Sequence, residues 1–381
     1  MEHLAMELLL EIFDLACADD ALAARSLSLV SRRVHEASRP FRFRIVSLYA
    51  TTANLQAFIH SIGVERKRSP NILPKCRHLF LQCPNTREWG QDATLTLKDA
   101  LMSTSASLDE RYSGILSYSE RGRTSGTRNQ WTEHLSSLLD IVAQDLETFT
   151  LVAGSDLDGS IFPSSFPALR ELSVVARGFP LDFDPNTGHR YRFPSLRHFH
   201  FASLGDSEKS PGDLATLIPR APKLTHLRIS HLPRQRNLSA LIRLYRKDGP
   251  HTAFANLERV LIQPVPPSER CGPSIMYCDF VTRLWCSARP ARVPVYLVPG
   301  DVKLHGADHQ AFVRKAKEEW QDRIAGGEGC WVVKEDWVNR SDVGHVVPWH
   351  LLLMGQPSRV ERWTLEEGFL SPAEMNWMNT V

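Results

Sequence analysis

The sequence predicts an α/β fold: a small helical unit over residues 1–40, an irregular α/β solenoid over 41–307 and a C-terminal cap over 308–381. Three observations carry that prediction. The apolar period changes near residue 41, from helical spacing to the alternation of a strand in Phe41-Arg-Phe-Arg-Ile45. One triplet, in which apolar residues are separated by two and then one variable position, returns at Cys76/Leu79/Leu81, Leu146/Phe149/Leu151, Leu169/Leu172/Val174, Leu196/Phe199/Phe201, Leu224/Leu227/Ile229 and Leu257/Val260/Ile262. Three copies are entered through proline, in Phe166-Pro-Ala-Leu169, Phe193-Pro-Ser-Leu196 and Ala221-Pro-Lys-Leu224, while Phe254-Ala-Asn-Leu257 keeps the phenylalanine. Proline there ends the preceding element and turns its neighbour toward extended backbone.

The elements follow in order. Residues 4–15 form a helix whose only polar positions, Glu7, Glu11 and Asp14, share one narrow stripe. So much apolar circumference exceeds what one small core can cover, so the helix needs a partner. Asp19 and Asp20 open a second helical stretch, where Leu27, Val30, Val34 and Ala37 recur before Pro40 stops it. A strand begins at Phe41 and a helix follows around residues 52–62. The last five triplets are spaced 23, 27, 28 and 33 residues apart, with helical stretches such as 213–219 and 237–246 between them. One strand and one helix per repeat is how an α/β solenoid stacks its core. Residues 103–130 are rich in serine and glycine and lack a period, which predicts an exposed flexible insertion. Beyond it, Phe312, Val313, Ala316, Trp320 and Ile324 mark a helix over 308–324. Six of the nine tryptophans lie in the last 70 residues (320, 331, 337, 349, 363 and 377), as suits a cap over an exposed core edge.

Composition narrows the function. The 381 residues carry 45 basic and 43 acidic side chains, a net charge of +2 spread along the chain, which gives no field suited to nucleic acid. No basic residue precedes Arg25, unlike a secretory signal, and no apolar run reaches the length of a membrane span. Seven cysteines without a Cys-x-x-Cys pair point to reduced thiols in the cytoplasm or nucleus. Cys76/Cys83 and Cys271/Cys278/Cys286 match no zinc spacing, and Gly326-Gly-Glu-Gly329 lacks the Lys and Ser/Thr of a phosphate loop. His198, His200 and His226 fall on or beside strands and read as hydrogen-bonded structural residues. The expectation is a protein-binding chain with no enzyme activity, cofactor or metal.

Leu4-Ala-Met-Glu7-Leu-Leu-Leu-Glu-Ile-Phe13, followed by Leu27-Ser-Leu-Val30-Ser-Arg32-Arg-Val-His-Glu-Ala37, resembles an F-box. The triplets resemble irregular leucine-rich repeats without the usual asparagine ladder, and an F-box ahead of such repeats is characteristic of that family. The chain departs from the F-box pattern at Ala5, where proline is usual, and at Val34, where an aromatic is common. The resemblance implies a substrate-recognition subunit of a Skp–cullin–F-box ubiquitin ligase. Leu4, Glu7, Leu8, Leu9, Ile12, Phe13, Val30 and Arg32 would bind the Skp adaptor, and the repeats would bind a protein substrate. The alternative is a leucine-rich-repeat scaffold whose degenerate F-box has left the ligase. In either case the variable triplet positions, Arg170, Glu171, Arg197, His198, Thr225, His226, Glu258 and Arg259, would line the concave face.

Overall fold

The computed structural model describes residues 4–17, 21–68, 74–84, 120–154, 162, 165–176, 193–204, 217, 220–232, 256–265, 293–298, 309–333 and 338–339. Asp19 and Asp20, all of 103–119, the 213–219 stretch apart from Leu217, the helical stretch at 237–246, Phe254, Cys271, Cys278 and Cys286, and Trp337, Trp349, Trp363 and Trp377 lie outside the described residues.

Three short helices open the chain: α1 (Met6–Ala16), α2 (Ala21–Leu27) and α3 (Arg32–Ser38). Leu9 and Phe13 of α1 pack on Val34 and Ala37 of α3, with Leu4, Leu10, Leu27 and Phe41 around them. Ser31 caps α3 by accepting from the Val34 N–H at 3.2 Å. Ser31→Ala is therefore expected to lower stability by about 1 kcal/mol, read as a shift in the urea midpoint. By contrast α1 begins at Ala5 with no side-chain cap.

The strand expected from Phe41 begins later. Residues Arg39–Phe43 form a 3₁₀ turn with Pro40 in its first positions, and β1 covers Ile45–Tyr49. Proline fixes the turn, and both phenylalanines are claimed by helices rather than by a sheet: Phe41 meets Phe13 edge-on at 6.5 Å, and Phe43 meets Phe58 at 5.9 Å. Phe58 belongs to α4 (Thr52–Arg68), which runs one and a half turns past the expected end.

The remaining strands are β2 (His78–Gln82), β3 (Thr148–Val152), β4 (Glu171–Ala176), β5 (His198–Ser203), β6 (His226–Leu232), β7 (Arg259–Pro264), β8 (Val295–Leu297) and β9 (Val338–Asn339). Each pairs with the next in sequence. All are parallel from β1 to β8, and β9 closes the row antiparallel to β8. The register explains the triplets: Leu79, Phe149, Leu172, Phe199, Leu227 and Val260 align across one row, and Leu81, Leu151, Val174, Phe201, Ile229 and Ile262 across another. All eighteen triplet positions are buried, none more than 6% exposed. The phenylalanine that precedes the entry proline also has a structural reason, because Phe166 and Phe193 stack at 5.7 Å in the same core. In place of an asparagine ladder, main-chain carbonyls hold the strand entries. The carbonyls of Arg44, Arg77, Glu147, Arg170, Arg197 and Thr225 each accept two successive N–H groups from the next repeat.

Helix α5 (Glu120–Val142) corrects the flexible insertion expected over 103–130, since residues 120–130 are helical. Its C-terminal half buries Trp131, Leu135, Leu138, Leu139 and Val142 on one face against the main core, and that anchored face propagates the helix back through a polar, glycine-containing stretch.

Helix α6 (His309–Ile324) starts one residue from its expected position but packs elsewhere than at the end of the sheet. Val313, Ala316, Trp320 and Ile324 lie on Phe80, Val152, Val175 and Ala202, which belong to β2–β5 and face away from the main core. The helix ends in a Schellman turn: Gly326 at φ +86° donates to the Arg323 carbonyl and Gly327 to that of Asp322. Gly329 sits at φ +55°, where an added Cβ would lie 2.7 Å from the Glu319 carbonyl oxygen. Gly329→Ala should cost about 1–3 kcal/mol, measurable as a drop in the thermal midpoint. This run of glycines serves chain reversal.

Candidate functional site

The eight residues assigned to adaptor docking divide into two groups. Leu9 and Phe13 are each 1% exposed and form the core of the helical unit. Leu8 (49% exposed), Ile12 (47%) and Val30 (59%) face solvent, as do Glu7 and Arg32, while Leu4 is half-buried. The periodicity of α1 accounts for the split: residues 9 and 13 form one stripe, and 8, 12 and 15 form another about 100° away. Leu15 and Leu29 are exposed as well, at 78% and 86%. The sequence reading missed both, although Leu15 continues the Leu8–Ile12 stripe and Leu29 stands in the turn that presents Val30.

This outward stripe is unusual because the unit's own core is already filled. A contiguous exposed apolar patch normally marks an interaction site. Arg33 steadies its start by donating to the Leu4 carbonyl, and Arg44 ties the far end of α1 to the sheet by donating to both the carbonyl and the carboxylate of Asp14, each at 2.6 Å. Arg39 donates to Glu65 of α4 at 2.7 Å. Beside these ties a groove of about 570 Å³ runs between α1 and the start of β2, lined among others by Leu10, Asp14, Leu15, Phe41, Arg44 and Arg77.

The second chemically rich place is the outer face of the sheet. In register there, Glu171, His198, His226 and Arg259 form one row, and Ser173, His200 and Arg228 form the next. The His198 and His226 rings lie 4.6 Å apart, and the Trp331 ring covers both at 5.1 and 6.0 Å. Burial, then the neighbouring His226 and the arginines 323, 197 and 259, push the His198 pKa down to about 3. Burial and Arg259 lower that of His226, against the pull of Glu258.

Deeper in, the His200 nitrogens meet the Ser173 hydroxyl at 3.1 Å and the Ser230 hydroxyl at 3.0 Å. Arg228 donates its Nε–H to that same Ser230 oxygen and other N–H groups to the Cys330 carbonyl and Gln263. Ser230 thus accepts from Arg228 and donates to His200 Nε2, which leaves the proton of the neutral imidazole on Nδ1. Burial and the Arg228 charge agree, holding the His200 pKa well below its usual value.

His200, Glu319 and Cys330 place their donor atoms within 4.8 Å of one another, close enough to be weighed as metal ligands. Both His200 imidazole nitrogens are engaged by serines, and the buried Arg228 guanidinium stands beside them, so His200 sits in a hydrogen-bonded layer of Ser173, Ser230 and Arg228. Burial raises the Cys330 thiol well above its ordinary pKa and keeps it neutral. Cys17, Cys76 and Cys83 are likewise buried.

Of the variable triplet positions, Arg170, Arg197 and Glu258 are exposed, whereas Glu171, His198, Thr225, His226 and Arg259 are half-buried. Among the described residues no helix is long and apolar enough to cross a membrane. Comparison with protein-family models and with curated proteins finds no match.

Proposed function

We propose that this chain is the substrate-recognition subunit of a Skp–cullin–F-box ubiquitin ligase, with the adaptor seated on α1 and the turn before α3, and a protein substrate held by a repeat solenoid. The observation that carries the reading is the outward stripe of Leu8, Ile12 and Leu15, left over after Leu9 and Phe13 have completed the unit's own core. Burying each of these residues is worth about 1.5–3 kcal/mol, a gain that association costs partly offset. The sequential parallel sheet, whose triplets all point into one core, supports the repeat reading.

The bare Ala5 cap favours a second reading, a repeat scaffold that no longer engages a ligase. Affinity purification of the full chain, alongside a chain lacking residues 1–40, separates the two. The ligase reading expects Skp and cullin components with the full chain alone, and proteins common to both preparations as substrate candidates. Absence of the adaptor from the full-chain preparation would leave the scaffold.

A further inference from the structure

We propose that the segment His309–Val333 is an internal occupant of a docking surface on the outer face of the sheet, and that this surface accepts an amphipathic helix from a protein partner once the segment lifts. The proposal rests on the recognition-subunit reading only for the partner's role as substrate.

The segment lies outside the main core, although its end, Cys330 and Trp331, buries against Leu261 and Val298 in a small cluster of its own. The main cluster on the inner face runs from Val46 to Leu297 and contains no residue of 309–333. What α6 covers is a separate, smaller cluster, four apolar residues on the sheet met by four on the helix, with Phe80 against Trp320 at 5.5 Å. Trp320 buries its indole Nε1 with no hydrogen-bond partner among the described residues, a desolvation cost that burial in a permanent core would ordinarily avoid.

Polar ties hold the segment down. Glu171 accepts from Arg323 Nε at 2.7 Å through one oxygen and from Trp331 Nε1 at 3.0 Å through the other, so the helix and the turn beyond it share this carboxylate, and Arg228 adds a bond to the Cys330 carbonyl. A bulge in β6, where His231 takes φ +56°, turns that imidazole onto Phe312 at 4.9 Å and marks the start of the helix. The occupant indicates the chemistry of the partner: a helix with an aromatic over Phe80 and, three residues on, a cation for Glu171, the arrangement of Trp320 and Arg323.

The test uses the full chain and a fluorescently labelled synthetic peptide of residues 309–333. The wild type, its surface already filled, should leave the peptide free. Trp320→Ala/Arg323→Ala weakens the internal occupant and should bind the peptide, saturably by anisotropy. Adding Glu171→Gln should weaken that binding at least tenfold. As a second measurement, hydrogen exchange in the Trp320→Ala/Arg323→Ala chain should speed up across 309–333 while β4–β6 amides stay protected. Failure of the double variant to bind the peptide would overturn the proposal, as would joint loss of protection in segment and strands, which would make the segment part of the core. Adaptor binding in the same variants is read separately, and its loss bears on the ligase reading alone.

Discussion

Leu8→Asp/Ile12→Asp should abolish co-purification with the Skp adaptor, a loss of at least 100-fold in affinity, with the thermal midpoint of the chain unchanged within a few degrees. The first half follows from where the side chains point. Both are about half exposed, on an apolar stripe of α1 left open to solvent among the described residues, and a carboxylate placed there would be buried unpaired against an apolar partner surface. Losses of that size are typical of central interface residues. The second half follows from the same geometry, because neither residue belongs to the cluster of Leu9, Phe13, Val34 and Ala37. Undiminished adaptor capture by a folded double variant would remove the docking role from this stripe. The same substitutions at Leu9 and Phe13 would be uninformative, since they would unfold the unit.

Acid should destabilise the chain in a window that begins near pH 6.5. The folded pKa values of His198, His200 and His226 are all depressed below the ordinary value. As pH falls through 6.5 the unfolded chain takes up protons that the folded chain refuses, so stability contributed by the neutral imidazoles is full above that pH and is lost progressively below it. For His198 the loss continues toward pH 3.

The surroundings explain the refusal. His198 faces His226, Arg197, Arg259 and Arg323; His200 faces Arg228, His231 and Lys315; and His226 faces Arg259 and Arg323, with Glu258 opposing. For a buried site such as His200, each pH unit in the window removes up to about 1.4 kcal/mol. Urea midpoints measured from pH 7.5 to 5 should therefore fall. His200→Gln, which keeps a polar side chain between the serines, should flatten the slope by close to one proton. An unchanged slope in that variant would contradict the hydrogen-bonded neutral state assigned to His200.

Much of the parallel sheet could be read from local spacing. A triplet that skips two positions and then one is what a strand entry followed by strand alternation produces, and all eighteen positions lie in the core. Phe166 and Phe193 could be noticed beside their prolines, but their stacking is a contact between repeats that no single window contains. Non-local packing also explains the misreadings. Phe41 and Phe43 alternate like strand residues, yet Phe13 and Phe58 claim them. Residues 120–130 lack a period of their own and are helical because the stretch from Trp131 to Val142 is anchored. Helix α6 was visible from its period, but its seat on β2–β5 depends on apolar residues at outward positions, Phe80, Val152, Val175 and Ala202, which the triplets do not include.

The candidate site was legible to a similar depth. An excess of apolar surface on α1 is plain from its sequence, but residues 8 and 9 are equally apolar, and only the position of Val34 and Ala37 decides which stripe turns inward. The histidines were expected on or beside strands, and that is where His198, His200 and His226 lie. Their gathering under Trp331 and around Arg228 joins segments far apart in the chain, and no local pattern announces it.

The most direct test of the central claim is a calorimetric titration of the purified full chain with purified Skp adaptor. The ligase reading expects one-to-one saturable binding, micromolar or tighter, with a negative heat-capacity change from apolar burial. No heat and no complex at high micromolar concentrations of both proteins, with the chain folded, would contradict it.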